Sequence, residues 1–280
     1  MQATQLSQSH NGFSAPPLHG LPLEAGRQCQ GKLWSNLNEI GNLLRIPMST
    51  SSADNEILFQ HVQFKAGQRV HIIGQEFDTF YIVNSGFLKT VSIDEFGNQQ
   101  VLSFPMKGDM LGVDSIHTRK YASEAVALTD CNLILVPFKK LAALARVHAE
   151  LEHAIYDAIS RELTRKQAMV NMLGALSAEA RVAWFLVSIS DKFAEIGYSR
   201  SIFNLRMTRQ EIGSYLGLSL ETVSRTLSAL NNIGLIGVEQ REIQIKEHDR
   251  LRTLRRIPSS KSITKSSVFR KAAAVGTHVH

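Results

Sequence analysis

Cysteine is scarce in this chain: Cys29 and Cys131 are the only two among 280 residues, far apart and in no CxxC pair. That rules out a secreted disulfide scaffold and leaves two reduced thiols. Long apolar runs are missing as well. No stretch approaches the ~20 consecutive apolar residues that a membrane span needs, and the N-terminus has no apolar signal core. The expectation is a soluble, cytoplasmic protein with no membrane partner. Proline is absent from His148 to Leu176, where Gly174 is the one glycine, so nothing there interrupts a long helix.

The length allows roughly two domains, each with its own core. A net charge of +6 and a pI near 9.4 suit a polyanionic partner. The cations crowd the last third, among them Arg200, Arg206, Arg209, Arg225, Arg241, Lys246, Arg250 and Arg252. A solvated basic face would look the same by charge alone.

Residues 1–50, rich in Gln, Ser, Pro, Gly and His at their start, read as a mobile arm. Residues 51–147 carry short β-rich runs at Val70 to Ile73, Thr79 to Asn84, Phe87 to Ile93, Gln99 to Phe104 and Cys131 to Val136. Gly67, Gly86, Gly97 and Gly108 punctuate them, which predicts a compact antiparallel roll or barrel. From Phe138 the period turns helical. In residues 148–177, Ile155, Ile159, Glu162, Lys166, Met169, Leu173 and Leu176 recur in steps of four and three, the seam of a two-stranded coiled coil. A helix packed on its own domain is the alternative. Residues 178–250 form a further domain, opened by a helix with Val182, Phe185, Leu186 and Ile189 on one face. Residues 251–280 read as a basic, disordered tail.

The segment TRQEIGSYLG from Thr208 to Gly217 places Thr208 three residues before Glu211, a capping box. Ile212, Tyr215 and Leu216 then face inward and Gly217 supplies a tight turn. Ser219 can cap a second helix with Leu220, Val223, Leu227 and Leu230 on its apolar side. This is a helix-turn-helix rather than a plain helical hairpin, because Leu235 to Val238 and Ile243 to Ile245 add a β-hairpin wing. The polar face of the second helix holds Glu221, Thr222, Ser224, Arg225 and Ser228. Arg225 can donate two hydrogen bonds to guanine O6 and N7, and Glu221 can accept from an exocyclic amine of cytosine or adenine. Glu221, Ser224 and Arg225 are therefore expected to read bases. Thr208, Arg209, Ser219, Thr222 and Ser228 are expected to hold the DNA backbone.

The string MTRQEIGSYLGLSLETVSRTLSALNNIGLI resembles the DNA-binding signature of the Crp/Fnr family, in its Fnr-like branch, with Glu221, Ser224 and Arg225 on the family's E-x-x-S-R core. The likeness runs upstream through Gly108 to Gly112, Val136 to Phe138 and the long helix, over roughly residues 55 to 250. It implies an α+β chain: an antiparallel β-roll like a cyclic-nucleotide-binding domain (a double-stranded β-helix), a dimerisation helix and a winged helix-turn-helix. It also implies a homodimer on double-stranded DNA with TTGAT-like palindromic half-sites, which recruits RNA polymerase as an activator or obstructs it; the residues do not say which. Asp94, Glu95 and Gly97 would face the polymerase.

The effector is less legible. Members of the family that bind cyclic nucleotides have Glu after the glycine and an Arg-Ser or Arg-Thr pair further on; here Val113 follows Gly112 and Arg119-Lys120-Tyr121 follows later. Cyclic AMP is not expected as ligand, the carboxylate and the phosphate clamp both being absent. Four thiolates would be needed for the iron-sulfur cluster of the oxygen-sensing relatives; two cysteines exclude it within one chain, and Ile134 stands where the roll cysteine would be. Cys131 reads as a small core residue. Haem stays open, with His61, His71, His117, His148 and His153 as conceivable ligands, so the cofactor is unknown. Two other classes compete: a cupin-like metalloenzyme, echoed by Gly67, His71 and Glu76 but with Ile73 where a second histidine belongs, and a signalling subunit that does not bind DNA.

Overall fold

The computed structural model describes residues 34–48 and 53–254. Most of the expected arm, with Cys29, and the tail beyond Leu254 lie outside them. Its strands and helices run β1 (Trp34–Asn36), α1 (Leu37–Leu44), β2 (Leu58–Phe64), β3 (Arg69–His71), β4 (Thr79–Ser85), β5 (Leu88–Ile93), β6 (Gln99–Ser103), β7 (Met110–Leu111), β8 (Glu124–Ala127) and β9 (Cys131–Pro137). Then follow α2 (Phe138–Ala145), α3 (Ala149–Ala175), α4 (Ala178–Glu195), β10 (Ile202–Asn204), α5 (Arg209–Leu216), α6 (Leu220–Asn232), β11 (Ile236–Glu239), β12 (Glu242–Ile245) and α7 (His248–Arg252).

The roll consists of a five-stranded sheet, β1-β2-β9-β4-β7, and a four-stranded sheet, β3-β8-β5-β6, antiparallel throughout. Val83, Leu88, Leu111, Ala125 and Leu133 fill one part of its interior. Cys131 is buried there, its thiol donating to the carbonyls of Thr129 and Phe87, and burial pushes its pKa up. It sits as the small core residue the sequence suggests.

Two expectations at the ends of the chain are corrected. Residues 34–48, assigned to a mobile arm, contain β1, which extends the roll sheet beside β2, and α1. Asn36 and Glu39 close a capping box on α1, and Leu37, Ile40 and Leu44 bury themselves in the roll core. At the other end α7 runs past residue 250, and Leu251 is buried against α4.

The helix-turn-helix half is not a separate ball. A single apolar cluster joins Val91, Val101, Phe104 and Met106 of the roll to Phe185 and Ile189 of α4, Ile212 and Leu216 of α5, and Val223 and Leu227 of α6. Burying one ring such as that of Phe104 contributes about 2–3 kcal/mol. Polar groups pin the same seam. Asp109 lies between Arg165 of α3 at 2.8 Å and Lys192 of α4 at 3.0 Å. Burial alone would raise its pKa, but Lys192 and Arg165 hold it down at about 2.

The long helix α3 corrects the expected seam. Ile155 packs on the roll core, and Met169 and Leu173 pack on the shared core. Glu162 is half-buried beside Lys166 at 3.8 Å. What faces solvent is Tyr156 at 59% exposure, Ile159 at 40%, Leu163 at 66% and Val170 at 68%. Alternate positions of the repeat move on by one residue, from 155, 162 and 169 to 156, 163 and 170, while 159 is kept, so the open apolar stripe is turned roughly 60° around the helix from the expected one. Ile159 alone belongs to both.

Among the candidate haem ligands, His61 bonds Ser35 at 2.8 Å and Asn132 at 2.6 Å through its two ring nitrogens, and His148 pairs with Asp54 at 3.1 Å. His117 and His153 are exposed. His71 is buried and stacks on Tyr121, with ring centroids 3.9 Å apart. Its ring nitrogens make no well-formed hydrogen bond, and burial lowers its pKa to about 4 against the smaller opposing pull of the Ser123 backbone and Asp114.

An unfolded histidine takes up its proton near pH 6.5 while buried His71 does so only near pH 4, so the unfolded state binds more protons between those values. Stability is expected to fall by up to about 3 kcal/mol as pH drops through that window. Urea midpoints between pH 7 and pH 4.5 check this. A His71→Phe variant, which keeps a flat ring on Tyr121, should lose that part of the slope; identical slopes would refute the assignment.

Candidate nucleic-acid interface

The helix-turn-helix is built by local chemistry. The Thr208 hydroxyl accepts from Glu211 N–H at 3.1 Å and Glu211 accepts from Thr208 N–H at 2.7 Å, closing the expected capping box of α5. Glu211 also receives Lys89 of β5 at 2.7 Å, both side chains being largely buried. Burial would raise the pKa of Glu211, but Lys89 and Thr208 keep it below the ordinary carboxylate range. Beside it, the Ser214 hydroxyl accepts from Val101 N–H at 2.9 Å, and the Gln100 amide donates to the Ser214 carbonyl. The first helix of the motif is thus docked along β6.

Two glycines make the turn. Gly217 sits at φ 63°, the left-handed region that side chains rarely adopt. Gly213 lets the chain fold back closely: a Cβ there would stand 2.6 Å from the Leu218 carbonyl oxygen. Ser219 then caps α6 by accepting from Thr222 N–H at 3.2 Å.

On α6, Val223, Thr226, Leu227 and Leu230 are buried. Leu220, expected on that apolar side, is instead 45% exposed, because it lies at the helix start, beyond the core. Glu221, Arg225 and Ser228 are exposed, and Ser224 and Thr222 half-exposed, so the polar residues share the outward face. Arg225 Nε donates to the Glu221 carbonyl at 3.4 Å. The carboxylate of Glu221 is held below its usual range by its own backbone N–H, by Ser219 and by the Arg225 charge.

The wing is the hairpin of β11 and β12, with Glu239 opposite Glu242; β10 completes its sheet on the other side of β12. Gln240 at its tip adopts φ 52° and its carbonyl accepts from Arg209 Nη2 at 3.0 Å. Burial and the adjacent Arg241 charge pull Arg209 below its ordinary pKa, although a guanidinium remains charged. The groove between α5, the start of α6 and the wing has a volume of about 930 Å3 and is lined by Thr208, Arg209, Gln210, Leu220 and Arg241 among others. Arg241 has no ion-pair partner among the described residues. Sequence reasoning counted it among the cations of the last third but gave it no place in the site; its position at a two-residue hairpin tip was the available signal.

A second residue missed from sequence is Arg181. Its guanidinium donates to the carbonyls of Leu173 at 2.7 Å, Leu176 at 3.0 Å and Leu216 at 3.2 Å. It thereby joins the end of α3 to the end of α5. Asp94, Glu95 and Gly97 occupy the β5–β6 turn, where Asp94 accepts from Phe96 N–H, Asn98 N–H and the Asn98 amide. The Asp94 carboxylate is therefore consumed in holding the turn, while Phe96 is 82% exposed at its tip.

Among the described residues no group of His, Cys, Asp and Glu is placed to hold a metal ion, and no helix is long and apolar enough to cross a membrane. Comparison with known proteins gives a consistent picture. Residues 180–254 match the Crp-like helix-turn-helix domain, and residues 61–148 the cyclic nucleotide-binding domain. The chain is 36% identical over 191 residues to the transcriptional regulatory protein btr of Bordetella pertussis, covering 68% of this chain and 79% of that one. It is 34% identical over 206 residues to the transcriptional activator protein anr of Pseudomonas aeruginosa, covering 72% and 84%. The solved structure of FixK2 from Bradyrhizobium japonicum superposes with a TM-score of 0.65 at 25% identity, covering 72% of this chain and all of that one.

Replacing Arg181 by Leu should cost about 2–4 kcal/mol, since three carbonyls lose a charged donor. DNA affinity should fall with it. Urea unfolding and fluorescence anisotropy on labelled duplex measure the two effects; a fully stable variant would show that the three bonds are dispensable.

Proposed function

The chain belongs to the Crp/Fnr family of DNA-binding transcription regulators, and we propose that it acts in the cytoplasm as a homodimer on a palindromic, TTGAT-like site. The observation that carries this reading is the outward face of α6, where Glu221 and Arg225 are exposed and Ser224 half-exposed, on the helix whose start, at Leu220, borders the groove that holds the Arg209 and Arg241 cations. With α6 in the major groove, Arg225 reads a guanine and Glu221 an exocyclic amine of a neighbouring pair. Thr208, Arg209, Ser219, Thr222 and Ser228 engage phosphates, joined by Arg241 at the wing. The relatives are regulators, so the metalloenzyme alternative is set aside.

Dimerisation runs through the open stripe of α3, with Tyr156, Ile159, Leu163 and Val170 meeting their copies across a two-fold axis. Exposed apolar side chains at this spacing support that assignment. Glu162 and Lys166 then flank the seam instead of filling it. At the β5–β6 tip, Phe96 with Glu95 and Gly97 forms the surface offered to RNA polymerase, Asp94 serving to shape it. Activation is the favoured output, in keeping with the name of the P. aeruginosa relative.

Cyclic AMP is not the effector in this reading. The stacked His71–Tyr121 pair occupies the roll interior, and Val113 and Lys120-Tyr121 replace the nucleotide's carboxylate and phosphate ligands. An iron-sulfur cluster of four cysteines within one chain is outside its means.

Removing the Arg225 side chain (Arg225→Ala) should cost about 1–3 kcal/mol on the cognate half-site and relax preference at one G·C pair. Arg241→Ala should weaken every sequence alike and lower the salt slope by about one unit. Randomised half-site selection at two salt concentrations separates the two; an Arg225→Ala protein that keeps its base preference would defeat direct readout.

Leu163→Glu should yield folded monomers, because a carboxylate would be buried on each side of the axis at a cost of several kcal/mol. Ile155→Glu should damage the fold instead. Sedimentation and circular dichroism distinguish these results, and a Leu163→Glu dimer would place the interface elsewhere.

A further inference from the structure

A groove of about 420 Å3 runs between the middle of α3, the face of α4 and the segment after β6, and reaches Tyr215 of α5. It lies on the side of α3 away from the open apolar stripe, outside the roll interior and outside the DNA-facing surface. Its volume is in the range of roughly 300–1,000 Å3 used by small-ligand sites. One wall is aromatic: Trp184 and Tyr215 stack at 6.5 Å and 20°, and Phe104 lies 5.3 Å from Tyr215. Trp184 remains partly exposed to the groove.

The opposite wall is cationic. Glu162 is matched by Lys166, and Glu195 by Arg45 outside the groove. Arg165 and Lys192 share the single carboxylate of Asp109. Arg161 has no ion-pair partner among the described residues. The local balance is an excess of positive charge, with Arg161 and Arg165 coming from α3 and the rings of Trp184 and Tyr215 from α4 and α5, and the Ser160 and Ser188 hydroxyls also line the groove. Such a wall pairing suits a flat ring carrying an anionic group, since the ring loses water against Trp184 while its charge finds a guanidinium.

We infer that this groove is an effector site for a small aromatic organic anion, one or two rings bearing a carboxylate or sulfonate, held by Arg161 over the Trp184–Tyr215 wall. Because α3, α4, α5 and the roll all line it, an occupant touches both the dimerisation helix and the first helix of the DNA-binding motif, and biases their relative placement.

The probe is 8-anilinonaphthalene-1-sulfonate, titrated into the full chain carrying Trp34→Phe, so that energy transfer reports from Trp184. Saturable binding at one probe per chain is expected. Arg161→Glu, a surface change, should weaken it at least tenfold; Ser188→Phe, which fills the groove, should abolish it; and neutral 1-anilinonaphthalene should not compete. Saturating probe should shift half-saturation of the DNA site at least threefold in the parent but not in Ser188→Phe. The site is overturned by absence of saturable binding, by affinities within twofold across the parent and Arg161→Glu, or by DNA binding indifferent to the probe. Should Ser188→Phe not fold, Arg161→Glu decides alone.

Discussion

Arg181 holds together the ends of two helices by taking up carbonyls that the backbone turns following them leave open. The final turn of any helix leaves carbonyl groups without partners, and here α3 and α5 end side by side. One planar guanidinium serves Leu173, Leu176 and Leu216 at once. A flexible ammonium could not present three donors in that fan. The direction in which α6 leaves the turn follows from this join, since Gly217 lies directly against it: a Cβ there would approach Leu173 at 3.3 Å.

A second level of order comes from the core that the roll shares with the DNA-binding half. Phe104 contacts Phe185 and Tyr215, Lys89 meets Glu211, and Asp109 gathers Arg165 and Lys192. Apolar burial supplies the attraction, while the buried charges fix one alignment, because sliding either surface would leave a carboxylate unpaired in a poorly solvated place. The roll and the helix-turn-helix are therefore joined through packed side chains as well as through the chain that links them.

Much of the interface was legible because its signals are local. The Thr208–Glu211 capping box, Gly217, Ser219 and the alternation in the wing each depend on neighbours within a few residues, and the strands of the roll followed their glycine punctuation. What failed was non-local. The α3 repeat admits two stripes that share Ile159 and differ by one residue at alternate positions, and only the position of the roll and α4 decides that Ile155, Met169 and Leu173 belong inside. Leu37, Ile40 and Leu44 form a short helical stripe that was hidden by the polar composition before it. Arg181 was invisible for the same reason: its three partners come from two helices brought together by folding. Asp94 is exposed, but that its carboxylate staples the turn through Phe96 and Asn98 was not read from the sequence.

The continuity of α3 from its open stripe to the Arg181 join gives the chain a property of machinery. A helix advances about 1.5 Å and rotates about 100° per residue, so in the homodimer proposed above its length acts as the tooth count of a gear between the two-fold axis and α6. One inserted residue between Val170 and Leu173 would swing each reading head about a quarter turn out of mesh, whereas seven would bring it nearly back. Evolution can therefore re-space the two reading heads only in coarse steps, and finer adjustment has to come from the DNA, by bending or twisting toward a fixed pair of teeth.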